Sequence, residues 1–154
     1  MRTVRLCGLI SVLLLSSSGI AQEAEIKALI EKYAKSIDAA DTTLGAEVWS
    51  TGTDVSLIHP MGQERGWQNI KVNFYENVMG KMFAKRELKP KDIAVHLLGD
   101  AAWVEFNWEF TATMTATNQP MNSKGRETQV LKKTDRGWRI VHVHYSIPFA
   151  PPPQ

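Results

Sequence analysis

Ala101-Ala102-Trp103-Val104-Glu105-Phe106-Asn107-Trp108-Glu109-Phe110-Thr111-Ala112-Thr113-Met114-Thr115-Ala116-Thr117 is the stretch that decides the fold. Its even positions (Ala102, Val104, Phe106, Trp108, Phe110, Ala112, Met114) form one apolar face, while the odd positions include Glu105, Asn107, Glu109, Thr111 and Thr113. A side-chain period of two belongs to a strand with one face on a core and the other on water. The run is longer than an ordinary strand, which predicts a bend. A bent sheet closed by helices leaves a cavity.

Downstream of this run, Asn118-Gln119-Pro120 breaks the pattern and Ser123 to Lys133 reads as the next strand. Asp135-Arg136-Gly137 turns the chain, and Trp138 to Ile147 returns. Upstream, Lys91 to Leu98 is a strand joined to the central run by Gly99-Asp100. Connections this short imply antiparallel pairing.

Further upstream the period changes. From Trp67 to Met82, apolar residues at 67, 70, 74, 78 and 82 recur at helical spacing, with Gly80 weakening the end. Val55 to Pro60 is a short β-like run, and Met61-Gly62-Gln63 reads as a turn. Asp41-Thr42-Thr43 supplies capping side chains for a short helix through Leu44, Val48 and Trp49. Glu23 to Ala40 places Ile26, Leu29, Ile30, Tyr33, Ala34 and Ile37 on one helical stripe. Three helices followed by a meander of long strands predict an α+β domain, the helices covering the apolar face of a curved, mainly antiparallel sheet.

The residues before this domain carry a different message. Met1 to Ala21 joins Arg2 and Arg5 to an apolar core from Leu6 to Leu15 and then to small residues ending Gly19-Ile20-Ala21. This is the pattern of a secretory signal. The core is too short to cross about 30 Å of hydrocarbon as a helix. The reading is therefore export to the periplasm or the exterior, cleavage after Ala21, and no membrane span afterwards. The single cysteine, Cys7, leaves with the signal, so stability must come from packing. Three segments result: a signal peptide at 1–21, one domain at 22–147 and a Pro-rich tail at 148–154.

The 154 residues are 44% hydrophobic and 22% charged, ordinary values for a globular domain. Losing Arg2 and Arg5 takes Lys and Arg from 18 to 16, equal to the 16 Asp and Glu. A neutral chain lacks the cationic surplus that displaces counterions from phosphates, so nucleic acid is not an expected partner. No cofactor is expected either.

Three motifs carry a resemblance. Leu98-Gly99-Asp100-Ala101-Ala102, Gly125-Arg126-Glu127-Thr128-Gln129-Val130 and Gly137-Trp138-Arg139-Ile140-Val141-His142-Val143-His144-Tyr145-Ser146 are similar to the final strands of the calcium/calmodulin-dependent protein kinase II association domain. Phe74-Tyr75-Glu76-Asn77 resembles that domain too. More broadly, Glu25 to Ser146 resembles the nuclear transport factor 2-like superfamily, the cone-shaped fold of SnoaL-type cyclases and ketosteroid isomerases. The resemblance implies a pocket inside the cone and no kinase activity. It also implies that Trp108, Gln129 and Tyr145 stand where the kinase hub carries pocket arginines, with Lys71 at a pocket histidine. Without those arginines a small carboxylate ligand loses its charge-assisted contacts. The expected ligand is a small organic molecule, largely apolar or aromatic. Trp108 and Met79 would give apolar contact; Gln129, Tyr145 and Lys71 would orient its polar groups.

For catalysis, His59, Glu127 and Tyr145 are the acid–base candidates. His59 is better read as a buried, hydrogen-bonded histidine, and Glu127 has the alternative of an ion-pair or interface residue. No pair matches the catalytic positions of ketosteroid isomerases closely enough to transfer. His142 and His144 share a strand face at a spacing that permits two metal ligands, with His59, His96 or Glu105 as third. Hydrogen bonding to neighbouring strands or to a partner is the preferred reading, and no metal is expected. Large side chains on both faces of the last strand imply that both are covered. Val141, Val143 and Tyr145 lie on one face, and Trp138, Ile140, His142 and His144 on the other. With Trp103, that second set is the expected contact of a homodimer. A third class of function keeps only assembly, with a vestigial pocket.

Overall fold

A computed structural model describes the backbone of residues 10–148 and the side chains of residues 19–148. Arg2, Arg5 and Cys7 of the export reading, and the tail from Phe149 onward, lie outside the described residues. Helix α1 (Ile10–Ala39) buries Ile26, Ile30, Tyr33, Ala34 and Ile37, with Leu29 packed beside them. Each large apolar side chain so covered contributes about 1.5–3 kcal/mol. The predicted cleavage point after Ala21 falls within this helix. Among the described residues no helix is long and apolar enough to cross a membrane. Helix α2 (Thr42–Val48) starts where Asp41 caps it: its carboxylate accepts from the Thr43 N–H at 2.8 Å and the Leu44 N–H at 3.0 Å.

Strands β1 (Ser56–His59) and β2 (Gly62–Arg65) form a hairpin, so the stretch read as a turn also opens a strand. A single turn, α3 (Trp67–Asn69), then runs into a π-helix, Ile70–Met82. Here the structure corrects the period. Hydrogen bonds from i to i+5 widen the helix, and the buried positions become Ile70, Phe74, Tyr75 and Met79, four or five apart. Met82, expected inside on a 3.6-residue period, is exposed at 38%.

The remaining strands are β3 (Phe83–Leu98), β4 (Ala101–Met114), β5 (Pro120–Thr134) and β6 (Gly137–Ser146). They form an antiparallel meander, and β1 joins β6 in parallel to give the order β2-β1-β6-β5-β4-β3. This is the predicted α+β architecture, with the N-terminal helices on a curved, mainly antiparallel sheet. Strand β3 begins well before Lys91 because Arg86 and Asp38 tie its start to the helices. Arg86 donates to the carbonyls of Asp38 (3.0 Å) and Met79 (2.6 Å), and the Leu88 N–H donates to Asp38 at 2.6 Å. Pro90 is tolerated because β3 is an edge strand.

One bulge changes a prediction. On β6, His142 faces Val130 of β5 while Ile140 faces Leu131, so Val141 is an extra residue. An extra residue inverts the alternation beyond it. Trp138 and Ile140 therefore point inward with Val143, at 2%, 0% and 0% exposure. They belong to the chain's own core and are not subunit-contact residues. His142 and His144 remain outside this core, half-buried and exposed respectively.

Candidate functional site

Helix α1, the π-helix and the inner sheet face enclose a cavity of about 260 Å³. Helix α1 contributes Tyr33 and Ile37; the π-helix contributes Phe74, Val78, Met79 and Met82. Trp108 and Phe110 enter from β4, Glu127 from β5 and Tyr145 from β6. Met61 and Met121 join them, so four of the six methionines in the chain line one space. Thioether side chains are flexible and polarisable, which lets such a wall adapt to different apolar shapes.

One polar group dominates. Glu127 is 4% exposed and is the charged residue among those lining the cavity. Ladder register places it between Phe106 of β4 and Tyr145 of β6, so the three side chains form an inward row. Gln129 Nε2 donates to Glu127 Oε1 at 2.7 Å, and the nearby Tyr33 hydroxyl also favours the ionised carboxyl. Burial outweighs both donors and pushes the carboxyl up to about 7. Burial and the neighbouring Glu127 both raise the Tyr33 and Tyr145 phenols, which stay protonated.

Trp108 forms a wall. Tyr145 meets its ring edge to face, with centroids 5.9 Å apart and planes at 84°. Its indole N–H is buried and has no partner among the described residues. An unpaired donor beside a cavity is a free hydrogen-bonding position for a ligand.

Of the residues expected in the pocket, Met79, Trp108 and Tyr145 line this cavity, and the acid–base candidate Glu127 joins them. Gln129 is buried behind Glu127 and reaches the cavity through that carboxyl. Lys71 does not line it; on the π-helix it is half-buried elsewhere. His59 is not a lining residue either. It stacks behind Tyr145 at 6.2 Å and lies 6.0 Å from Phe74, with Nε2 3.9 Å from Glu64. His142 Nδ1 lies 2.7 Å from the Ser56 hydroxyl on β1; burial, then His144, lowers its pKa. Trp103 is 40% exposed on the outer face, stacked on His96 at 4.5 Å.

Sequence reasoning missed Tyr33 as a site residue. A tyrosine within an otherwise aliphatic helix stripe is the signal, because a buried hydroxyl needs a partner.

A family model for the SnoaL-like domain matches residues 26–150. Among solved structures, a nuclear transport factor 2-like superfamily protein from Salmonella enterica serovar Typhimurium is 46% identical. That match covers 86% of this chain and 94% of the other, with a TM-score of 0.84. A hexachlorocyclohexane dehydrochlorinase is similar in fold at 16% identity, covering 89% and 98%, with a TM-score of 0.77. A candidate scytalone dehydratase from Novosphingobium aromaticivorans is similar at 13% identity, covering 87% and 89%, with a TM-score of 0.78. No sequence among functionally curated proteins matches the chain.

Proposed function

Because the chain belongs to the SnoaL-like domain family and has the nuclear transport factor 2-like fold, we propose that it binds a small, largely apolar molecule in this cavity, the molecule's polar end at Glu127. The carrying observation is an apolar space of about 260 Å³ with a single carboxyl among the described residues of its wall. Trp108 and the methionines supply contact, while the Tyr145 hydroxyl and the Trp108 N–H orient polar atoms. Native mass spectrometry of protein from its own source, together with calorimetric titration of 2-naphthylmethanol, tests this. Saturable one-to-one binding that Trp108→Ala abolishes is expected. An empty native chain that takes up no probe overturns the reading.

A second reading is favoured by Glu127 alone. A carboxyl poised at about 7 can both take and return a proton at neutral pH. It would serve an isomerase, lyase or hydrolase of a small organic substrate, with Glu127 as base and Tyr145 beside it. Relationship to the kinase-hub branch remains a proposal that rests on the Trp138 to Ser146 run. In that branch's terms, Trp108, Gln129 and Tyr145 replace an anion site with an apolar one. Export, with a mature start at Gln22, rests on the signal pattern. A homodimer rests on the outer sheet face, where Trp103 and Val130 are ladder partners at 40% and 36% exposure. A module that only assembles, with a vestigial pocket, is the reading left if no ligand binds.

A further inference from the structure

Among the described residues, every one lining the cavity is neutral except Glu127, and none is a lysine, arginine or histidine. Arg86 is spent on the carbonyls of Asp38, Met79 and Phe83. Glu127 nonetheless accepts from Gln129 Nε2 at 2.7 Å, a contact that favours its ionised form against the burial that opposes it. Its missing partner is a countercharge. The cavity that it shares is walled by the rings of Tyr33, Phe74, Trp108, Phe110 and Tyr145. Aromatic faces carry negative potential and attract cations, most strongly where water is excluded.

We propose that the molecule this cavity takes is a lipophilic amine, bound as its ammonium ion against the Glu127 carboxylate with its apolar part among the aromatic rings. This rests on the reading of the cavity as a binding site and adds the ligand's charge. A carboxylate ligand would meet Glu127 with no cation to offset it. A neutral acceptor such as a ketone needs the carboxyl protonated, so it competes only below about pH 7 and against the Gln129 donor. Where Glu127 carries a proton before binding, the ammonium displaces that proton to solvent. The other titratable groups facing it are Tyr33 from α1, Tyr75 from the π-helix and Tyr145 from β6, with His59 of β1 behind Tyr145. The three phenols are held protonated by burial, so they do not supply the released proton.

Three probes on one skeleton test the proposal with the full chain at pH 8: 2-naphthylmethylamine, 2-naphthylmethanol and 2-naphthoate, each titrated calorimetrically. The amine is expected to bind at least about tenfold tighter than the alcohol, and the carboxylate not to saturate. At pH 6, amine titrations in buffers of different ionisation enthalpy should show proton release, and Glu127→Gln should abolish both the release and the amine's preference. Alcohol binding with the amine no tighter, or carboxylate binding tightest, overturns the amine while leaving the cavity a binding site. No saturable binding by any probe overturns both readings. The probe comparison is made on the unaltered protein, so a variant that fails to fold does not remove the test.

Discussion

Gly125 lies directly opposite Trp108 in the β4–β5 ladder, and a Cβ built on Gly125 would sit 2.4 Å from the Trp108 ring and 2.0 Å from the Ser146 carbonyl oxygen. The indole wall of the cavity thus exists because this one position on β5 has no side chain. Gly125→Ala should therefore push the indole aside and strain the β5–β6 edge, costing about 1–3 kcal/mol. Urea unfolding reads the cost. A variant as stable as the parent, with unchanged tryptophan fluorescence, would show that the strands part without effort.

Trp108→Ala separates wall from core filler. The ring is 6% exposed and packs on Tyr145, so truncation should cost about 3 kcal/mol, the low end for a buried tryptophan because one side already faces a cavity. Binding of 2-naphthylmethanol should be lost with it. Retained binding would place the ligand elsewhere.

Glu127 gives the chain an unusual acid–base profile. Burial raises its carboxyl from 4.5 to about 7, so the folded protein keeps a proton that the unfolded chain has released. Its contribution is fully present below about pH 4.5 and is lost as pH rises to about 7, then stays level. The size is on the order of 3 kcal/mol. Asp38, raised by burial, acts in the same direction; His142, lowered by burial, acts against it on acidification. Urea unfolding at pH 4.5, 6 and 7.5 should show the parent losing stability relative to Glu127→Gln across that window. Parallel curves would mean that the carboxyl is hydrated.

What the sequence made legible follows from local periodicity. The α1 stripe, the Asp41 cap and the apolar face of β4 are each set by residues close in the chain. Two departures were not local. The π-helix hides because spacings of four fit a 3.6-residue period nearly as well as a wider one, and only Tyr75 and Met79 inside tell them apart. The β6 bulge shows in the sequence only as two adjacent apolar residues, Ile140-Val141, which fit two covered faces equally well, while the shift itself is fixed by pairing with β5. Site residues divided likewise. Trp108 and Tyr145 were visible as inward strand positions. The partnership of Glu127 with Tyr33 needed the packing of α1 on the sheet.

Cleavage after Ala21 predicts that the exported chain begins at Gln22, which peptide sequencing of the secreted fraction decides. Because that point falls within α1, removal of residues 1–21 should leave the packed stripe from Ile26 onward intact. The thermal midpoint of a chain beginning at Gln22 should match that of the full chain within a few degrees. A large drop would mean that the first turns of α1 hold the fold together.

The homodimer proposal is sharpened by the bulge in β6. Trp138 and Ile140 are core residues, so Trp138→Asp should unfold the chain by burying an unpaired charge, at a cost above about 4 kcal/mol, whatever the subunit number. The outer face is tested elsewhere. Trp103 and Val130 are exposed ladder partners, and His96 stacks on Trp103 with its ring plane only 10° away. Isolated aromatics occur on monomer surfaces, but a tryptophan, a valine and an imidazole side by side form a patch that association would cover. Trp103→Asp or Val130→Lys should convert dimer to monomer in sedimentation velocity while shifting the monomer's own unfolding by little, because neither side chain enters the core. A parent chain that sediments as a monomer at micromolar concentration leaves the patch without a partner copy, and the dimer proposal fails.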